Sequence, residues 1–169
     1  MRIEYNSNPT ITNCTFTGNT ADYGGGMSNS WWSSPTLTDC TFTGNTANDF
    51  GGGICNWSEC DLTLENCTFT NNTSSYMGGG ICNWSESECD STLENCTFTN
   101  NTADFGGGVA NLHSNPTLEN CTFTDNSALS VAGAMFNAQQ SSPILTDCTL
   151  ENNTALVGGG MYNFDNSHP

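Results

Sequence analysis

The sequence predicts an all-β fold: a single-stranded right-handed parallel β-helix, or β-solenoid, of about six coils of 25–29 residues. Three observations predict it. A repeat runs along most of the chain, apolar residues alternate with threonine inside each repeat, and glycine clusters and prolines border the alternating stretches. We therefore expect residues 1–169 to form a single β-helix domain, which we interpret as a fragment or repeat region of a longer protein.

The repeat is clearest in six segments such as PTITNCTFTGNTA and PTLTDCTFTGNTA, each followed by small residues and one apolar residue. One alignment column holds Phe16, Phe42, Phe69, Phe98, Phe123 and Leu150, at spacings of 26, 27, 29, 25 and 27 residues. A constant half followed by a variable half is typical of a solenoid whose insertions lie in loops. Propeller blades need about 40 residues and leucine-rich repeats need a leucine framework, so neither fits.

The C-T-F-T stretch of each repeat alternates with period two. This alternation predicts a strand that turns Cys and Phe toward the core and both threonines toward solvent. Pro9, Pro35, Pro116 and Pro143 lie just before these strands and oppose a helix there. We expect three short strands per coil, with successive coils stacked at about 4.8 Å.

Equivalent residues of successive coils should then form columns inside the solenoid. The predicted core columns are Ile11/Leu37/Leu64/Leu93/Leu118/Leu145, Cys14/Cys40/Cys67/Cys96/Cys121/Cys148, the phenylalanines, Ala21/Ala47/Ser74/Ala103/Ala128/Ala155 and Met27/Ile54/Ile81/Val109/Met135/Met161. Two asparagine columns are Asn19/Asn45/Asn72/Asn101/Asn126/Asn153 and Asn29/Asn56/Asn83/Asn111/Asn137/Asn163. Asparagine tolerates left-handed turns, and stacked amides can hydrogen-bond from coil to coil.

The charge balance restricts the partners. The chain has 17 acidic residues and one basic side chain, Arg2, for a formal net charge of −16. Such a surface repels nucleic acid and anionic membranes. No apolar run is long enough to span a membrane, and the opening residues contain no export signal. Ten cysteines in an acidic chain favour an extracellular or cell-surface location, with the export signal outside this segment.

The F-x-x-N motif, as in Phe16–Asn19 and Phe42–Asn45, is followed by G-G-x-aliphatic. This pattern resembles the repeat of chlamydial polymorphic outer-membrane proteins, and similar repeats occur in bacterial surface proteins of the pectate-lyase-like β-helix type. The resemblance implies a secreted or autotransported passenger region, often an adhesin.

The sequence offers few side chains in arrangements suited to catalysis. Polysaccharide lyases on this kind of fold need a basic residue, and Arg2 is the only arginine or lysine. The acidic residues fall mainly at turns or outward strand positions, and His113 and His168 are isolated. We expect a chain that is not an enzyme and needs no cofactor.

Two consecutive coils carry a second set of cysteines in GGGICNWSEC and GGGICNWSESEC. Cys55, Cys60, Cys82 and Cys89 are disulfide candidates, paired either within each loop or across the coils. The six core cysteines are expected to be mostly free thiols. A weak calcium candidate in the same loops consists of Glu59, Asp61, Glu86, Glu88 and Asp90. No other metal is expected.

The outward threonines form the most regular predicted surface. They are Thr15/Thr17, Thr41/Thr43, Thr68/Thr70, Thr97/Thr99 and Thr122/Thr124. This array resembles the T-x-T face of β-solenoid ice-binding proteins.

The leading functional hypothesis is a non-catalytic extracellular structural or adhesive module, either a rigid stalk or a surface-binding element. Its partner would be a surface glycan or protein, contacted through Trp31, Trp32, Trp57 and Trp84. The other interpretation of these tryptophans is that they only cover the corner beside the second strand. The alternative is an ice-binding protein that uses the threonine array. End-to-end self-association through the exposed edges of terminal coils is also expected.

Overall fold

The computed structural model describes residues 1–85 and 89–169. Every regular element in this part of the chain is a β-strand of two to five residues, and none of these residues is helical. The strands form four parallel sheets, and each sheet takes one strand from each successive coil. The predicted parallel β-solenoid of about six coils is confirmed.

We name each sheet by the residue that it turns toward the interior. The leucine sheet contains Thr10–Thr12, Thr36–Thr38, Thr63–Glu65, Thr92–Glu94, Thr117–Glu119 and Ile144–Thr146. The phenylalanine sheet contains Thr15–Thr17, Thr41–Thr43, Thr68–Thr70, Thr97–Thr99, Thr122–Thr124 and Thr149–Glu151. The alanine sheet contains Thr20–Tyr23, Thr46–Phe50, Thr73–Ser74, Thr102–Phe105 and Ser127–Val131. The asparagine sheet contains Arg2–Glu4, Met27–Ser30, Ile54–Trp57, Ile81–Trp84, Val109–Leu112, Met135–Ala138 and Met161–Asn163.

Each complete coil therefore visits four sheets, and the expectation of three strands per coil is wrong. Single left-handed residues make the additional corners. Asn66, with φ of 53°, separates the leucine and phenylalanine strands, and Asn71, with φ of 56°, separates the phenylalanine and alanine strands. Asn, Asp or Gly occupies both corners in every coil, because these residues adopt positive φ at low cost.

The glycine cluster forms the third corner, and its members have different roles. Gly51 has a positive φ of 67° and turns the chain. Gly53 is needed for space, because a Cβ there would lie 2.6 Å from the Gly80 carbonyl oxygen and 2.9 Å from Cδ1 of Phe69. Ala134 takes the place of this last glycine in the coil whose next neighbour carries Leu150 instead of phenylalanine.

The interior consists of like residues stacked on like residues. The rings of Phe16, Phe42, Phe69, Phe98 and Phe123 lie 4.5–4.9 Å apart between centroids, within 7° of parallel. The predicted leucine and Met/Ile/Val columns, and the cysteine column from Cys40 onward, pack against them in one core cluster. Cys14, in the first coil, was predicted in this column and is exposed, because no coil covers it on that side. The predicted inward and outward assignment of the C-T-F-T strands is confirmed.

Both asparagine columns form buried hydrogen-bond ladders, as predicted. In the first, Nδ2 of Asn45 donates to Oδ1 of Asn72 at 3.0 Å and to the carbonyl oxygen of Phe16 at 2.8 Å. In the second, Nδ2 of Asn56 donates to Oδ1 of Asn83 at 2.7 Å. The left-handed turn at the end of the phenylalanine strand belongs to the residue before the first column, such as Asn71 before Asn72. The ladder asparagines thus satisfy buried polar groups that would otherwise be costly.

In the described part of the chain, there is no helix of the length and apolarity that a membrane crossing requires.

Candidate ligand-binding surfaces

The predicted threonine array lies in register on the outer face of the phenylalanine sheet. Thr68 pairs with Thr41 and Thr97, and Thr70 pairs with Thr43 and Thr99. Thr15/Thr17 and Thr122/Thr124 continue both columns in the same register. Beyond them Thr149 continues the first column, while Glu151 ends the second. The structure therefore brings all ten predicted threonines onto one face.

Further threonine columns flank this face and were not singled out from the sequence. Thr63 and its equivalents lie on the outer side of the leucine sheet, and Thr73 and its equivalents begin the alanine strands. Between the first of these columns and the array lie exposed Glu65, Glu94 and Glu119, paired on consecutive coils. The uncharged array therefore has an acidic border on its leucine-sheet side.

The second set of cysteines is brought together on adjacent coils. Cys55 pairs in register with Cys82 on the outer face of the asparagine sheet. Cys60 and Cys89 lie one coil apart in the following loop, where the Cys89 thiol donates to the Cys60 carbonyl oxygen. Cys60 and Cys89 occupy equivalent buried positions in their coils. In other coils the same position is a buried serine, for example Ser33. All ten cysteines are thiols in the structure, and their disulfide pairing stays a prediction.

Burial dominates the acid–base chemistry of these thiols. It raises the pKa of Cys55 to about 12 and of Cys89 to about 12, and it places the pKa of Cys82 well above its usual value. In the core column, hydrogen bonds with the Cys121 and Cys67 thiols raise the pKa of Cys96. Because the thiolate is the reactive form, these buried groups are poor nucleophiles in the folded chain.

The weak calcium candidate is only partly described, because Glu86 and Glu88 lie outside the described residues. Asp61 accepts the backbone N–H of Asp90 through Oδ1 at 2.9 Å, and Asp90 accepts the backbone N–H of Asn115 at 3.3 Å. These two carboxylates therefore join neighbouring coils. The described residues contain no group of three or more His, Cys, Asp or Glu side chains arranged to hold a metal, and calcium binding stays a prediction.

A second apolar cluster lies outside the solenoid, across the glycine corner, and sequence reasoning missed it. The residue before each glycine cluster is apolar: Tyr23, Phe50, Met77, Phe105, Val131 and Val157. These side chains meet the outer face of the asparagine sheet, where Phe50 lies 5.1 Å from Trp84 and Phe105 lies 5.6 Å from Phe136 between ring centroids. Met77 is itself buried, and Cys82 and Ala110 are buried in the same cluster. The missed signal was the constant apolar residue before the glycines.

One end of this cluster opens into a groove with exposed aromatic residues. We call Tyr23, Trp31, Trp32 and Trp57 the aromatic strip; each is at least 40% exposed. Tyr23, Trp31 and Trp57 line a cavity of about 700 Å³, together with Asp22 and Arg2. Trp84, which was predicted with the other tryptophans, stacks on Trp57 at 5.7 Å and packs against the buried cluster.

The other end of the cluster holds a smaller pocket of about 390 Å³. We call it the aromatic pocket; its aromatic lining residues are Tyr76, Phe105, Phe136, Tyr162 and Phe164. Asp165 and Gln139 contribute its polar side chains. No sequence pattern pointed to any of these residues as a site.

Comparison with known proteins identifies the architecture. A family model described as "Right handed beta helix region" matches residues 1–128 and, in a second alignment, residues 63–169, which together cover the chain. No curated protein and no solved structure matches it. The predicted handedness agrees with the family description. The chain is a structural repeat module that belongs to the right-handed β-helix family.

Proposed function

We propose that the chain is a non-catalytic, extracellular adhesive module, a rigid stalk that binds an uncharged glycan through the aromatic strip. The observation that carries the proposal is the exposure of the aromatic strip: Tyr23, Trp31 and Trp57 line one groove, and Trp32 is exposed beside Trp31 at 6.1 Å between ring centroids. The proposal extends to the finer family: a passenger repeat of the polymorphic outer-membrane type, displayed at a cell surface.

The charge of the protein supports an uncharged partner. With 17 acidic residues and one basic side chain, the surface repels anionic polysaccharides. Neutral sugars present apolar C–H faces that pack on aromatic rings, while their hydroxyls hydrogen-bond to polar neighbours. Asp22, Ser28 and Ser30 line the same cavity as Tyr23, Trp31 and Trp57 and supply such neighbours.

The rigidity of the stalk follows from the stacking of its coils. Each interior coil is bound to both neighbours by four parallel strands, a column of phenylalanine rings and two amide ladders. A solenoid with this continuous core resists bending because a bend would open several of these contacts at once.

A panel of neutral and anionic polysaccharides tests the proposal. We expect the chain to bind at least one neutral polymer without cleaving it, and the double variant Trp31→Ala/Trp32→Ala to weaken binding by about tenfold. Leu129→Ala is the matched control, because Leu129 is 76% exposed and lies outside the aromatic strip. Absence of binding to every neutral polymer, or cleavage of any polymer, contradicts the proposal.

A second candidate function, ice binding, is favoured by the in-register threonine array. Five complete T-x-T rungs stand on adjacent parallel strands about 4.8 Å apart. An ordered array of methyl and hydroxyl groups supported by a rigid core can organise water at its surface.

Thermal hysteresis and the shape of ice crystals test this candidate. Thr68→Tyr and Thr97→Tyr should abolish both effects while the circular dichroism spectrum stays unchanged. Thr63→Tyr, on the outer face of the leucine sheet, is the control that should retain both effects. Wild-type protein that neither shapes ice nor depresses its freezing point eliminates the candidate.

A further inference from the structure

The aromatic pocket is lined by residues of consecutive coils. Tyr76 and Phe105 approach it from the alanine-sheet side of the glycine corner, and Phe136 and Tyr162 approach it from the outer face of the asparagine sheet. Phe164 and Asp165 come from the loop that follows the last strand. The pocket is separate from the aromatic strip, which lies at the other end of the same corner.

The rings around the pocket are inclined to one another. Tyr76 and Phe105 lie 5.4 Å apart between centroids at 80°, and Phe105 and Phe136 lie 5.6 Å apart at 47°. Phe136 and Tyr162 lie 6.3 Å apart at 15°. The pocket is therefore lined by aromatic rings of different inclination, and not by one flat stack of parallel rings.

The electrostatic setting favours a cation. Asp165 is exposed and lines the pocket. The only arginine or lysine, Arg2, belongs to the first strand and is paired with Glu4 at 2.6 Å. No lysine or arginine therefore competes for the pocket, and the net charge of −16 raises the local concentration of cations.

We propose that the aromatic pocket binds a quaternary ammonium group. The methyl groups of such a cation pack on Phe105, Phe136 and Tyr162, and the positive charge interacts with the negative ring faces and with Asp165. The volume of about 390 Å³ is at the small end of the range for small-molecule pockets, which suits a compact cation.

The polar content of the pocket distinguishes this ligand from other cations. A calcium or magnesium ion needs about six oxygen ligands, and the pocket has one carboxylate. A primary ammonium group would lose hydrogen bonds to water that the apolar walls cannot replace. A quaternary ammonium group has no N–H to satisfy, so it enters the pocket at lower cost.

Calorimetric titration of the full chain with choline chloride and with tetramethylammonium chloride tests the proposal. We expect saturable binding with Kd on the order of 1 mM. The neutral carbon isostere 3,3-dimethyl-1-butanol should bind at least about tenfold more weakly, because it retains the shape and loses the charge. Binding that is absent, or equal for choline and the isostere, overturns the proposal.

Two exposed variants locate the site without disturbing the core. Asp165→Asn keeps a residue that tolerates the φ of 54° and should weaken choline binding by about fivefold, while Phe164→Ala should weaken it by a similar factor. Asp147→Asn is the matched control, because Asp147 has a φ of 51° at a corner outside the pocket. Equal binding by Asp165→Asn and wild type also overturns the assignment.

The ligand could reach the pocket as a free amine or as a phosphatidylcholine headgroup. Sedimentation with phosphatidylcholine vesicles distinguishes these sources. Protein that sediments with the vesicles and is released by free choline binds the headgroup. Protein that binds choline but does not sediment with the vesicles binds the free amine. Either result supports the proposed site. The assay is independent of the polysaccharide panel, so failure of one proposal leaves the other intact.

Discussion

Oδ1 of Asn101 accepts two hydrogen bonds from Asn72 of the neighbouring coil, one from the backbone N–H and one from Nδ2, each at 3.0 Å. Asn72 in turn accepts the same two bonds from Asn45, and its Nδ2 also donates to the carbonyl oxygen of Phe42. Each interior amide of this ladder is therefore saturated, without help from water.

Asn72→Ala should lower the free energy of unfolding by roughly 3 kcal/mol, because it leaves two N–H groups of Asn45 without their acceptor and removes a hydrogen bond to the Phe42 carbonyl oxygen. Chemical denaturation measures the effect. Asn19→Ala, at the exposed first position of the same ladder, should cost under about 1 kcal/mol. Equal losses for the two variants would show that the ladder adds nothing to the stability of the interior.

Gly53→Ala should destabilise the chain by roughly 2 kcal/mol or more, because the new Cβ meets a backbone carbonyl and the Phe69 ring. Gly44→Asn is the matched substitution: its φ is 62°, a Cβ on Gly44 would meet no atom within 4 Å beyond its chain neighbours, and other coils use asparagine at this corner. We expect Gly44→Asn to leave the melting temperature unchanged or slightly raised. A neutral Gly53→Ala would contradict the packing of the glycine corner.

Alkaline pH should weaken the reduced protein through its buried thiols. Below pH 9 both folded and unfolded chains hold the thiol protons; between pH 9 and about 12 the unfolded chain releases protons that folded Cys55 and Cys89 keep. Stability conferred by the raised pKa values is therefore lost as pH rises, with a slope that approaches about 1 kcal/mol per pH unit for each thiol in the middle of this window.

Denaturation at a series of pH values, with a reductant present, measures this slope. The variant Cys55→Ala/Cys89→Ala should have a shallower alkaline slope than wild type, and the exposed control Leu129→Ala, which removes no thiol, should not. Identical slopes for all three proteins would mean that the buried thiols ionise as easily in the folded state as in the unfolded one.

Oxidation should join adjacent coils, as Cys55–Cys82 and Cys60–Cys89. Cys55 and Cys82 are in register on parallel strands, which places their Cα atoms about 4.8 Å apart, within the range for a disulfide. Cys60 and Cys89 lie in loops of adjacent coils, where the Cys89 thiol contacts the Cys60 carbonyl oxygen. Each bond releases two protons and passes two electrons to oxidised glutathione, which becomes two reduced molecules. Because the folded thiols are buried, oxidation should be efficient during refolding and slow after it. Peptide mapping that finds Cys55–Cys60 and Cys82–Cys89 instead would make the prediction wrong.

The interior of this fold was predictable because one side-chain position repeats in every coil. Phe69 pairs with Phe42 and Phe98, and Asn83 pairs with Asn56 and Asn111, as the alignment required. Alternation around Phe was sufficient to assign the core and the threonine array, since a slip of one residue would have buried threonine and exposed phenylalanine.

The corners and the outer cluster were harder to predict, for local reasons. In the sequence, Asn66 and Asn71 look like ordinary polar residues beside a strand. Only their positive φ reveals that the chain turns there from one sheet to the next. Tyr23 and Phe50 pair across an irregularity in register, because one alanine strand is a residue longer than the other. Simple alternation fails at such a bulge, so it could not place these rings outside the core.

The in-register coils also give the molecule a fixed increment of length. Every whole repeat that is gained or lost would change the solenoid by about 4.8 Å along its axis, while the lateral surfaces of the remaining coils keep their relative positions. The length of the solenoid can therefore vary in discrete steps without a change in the binding surfaces on its sides.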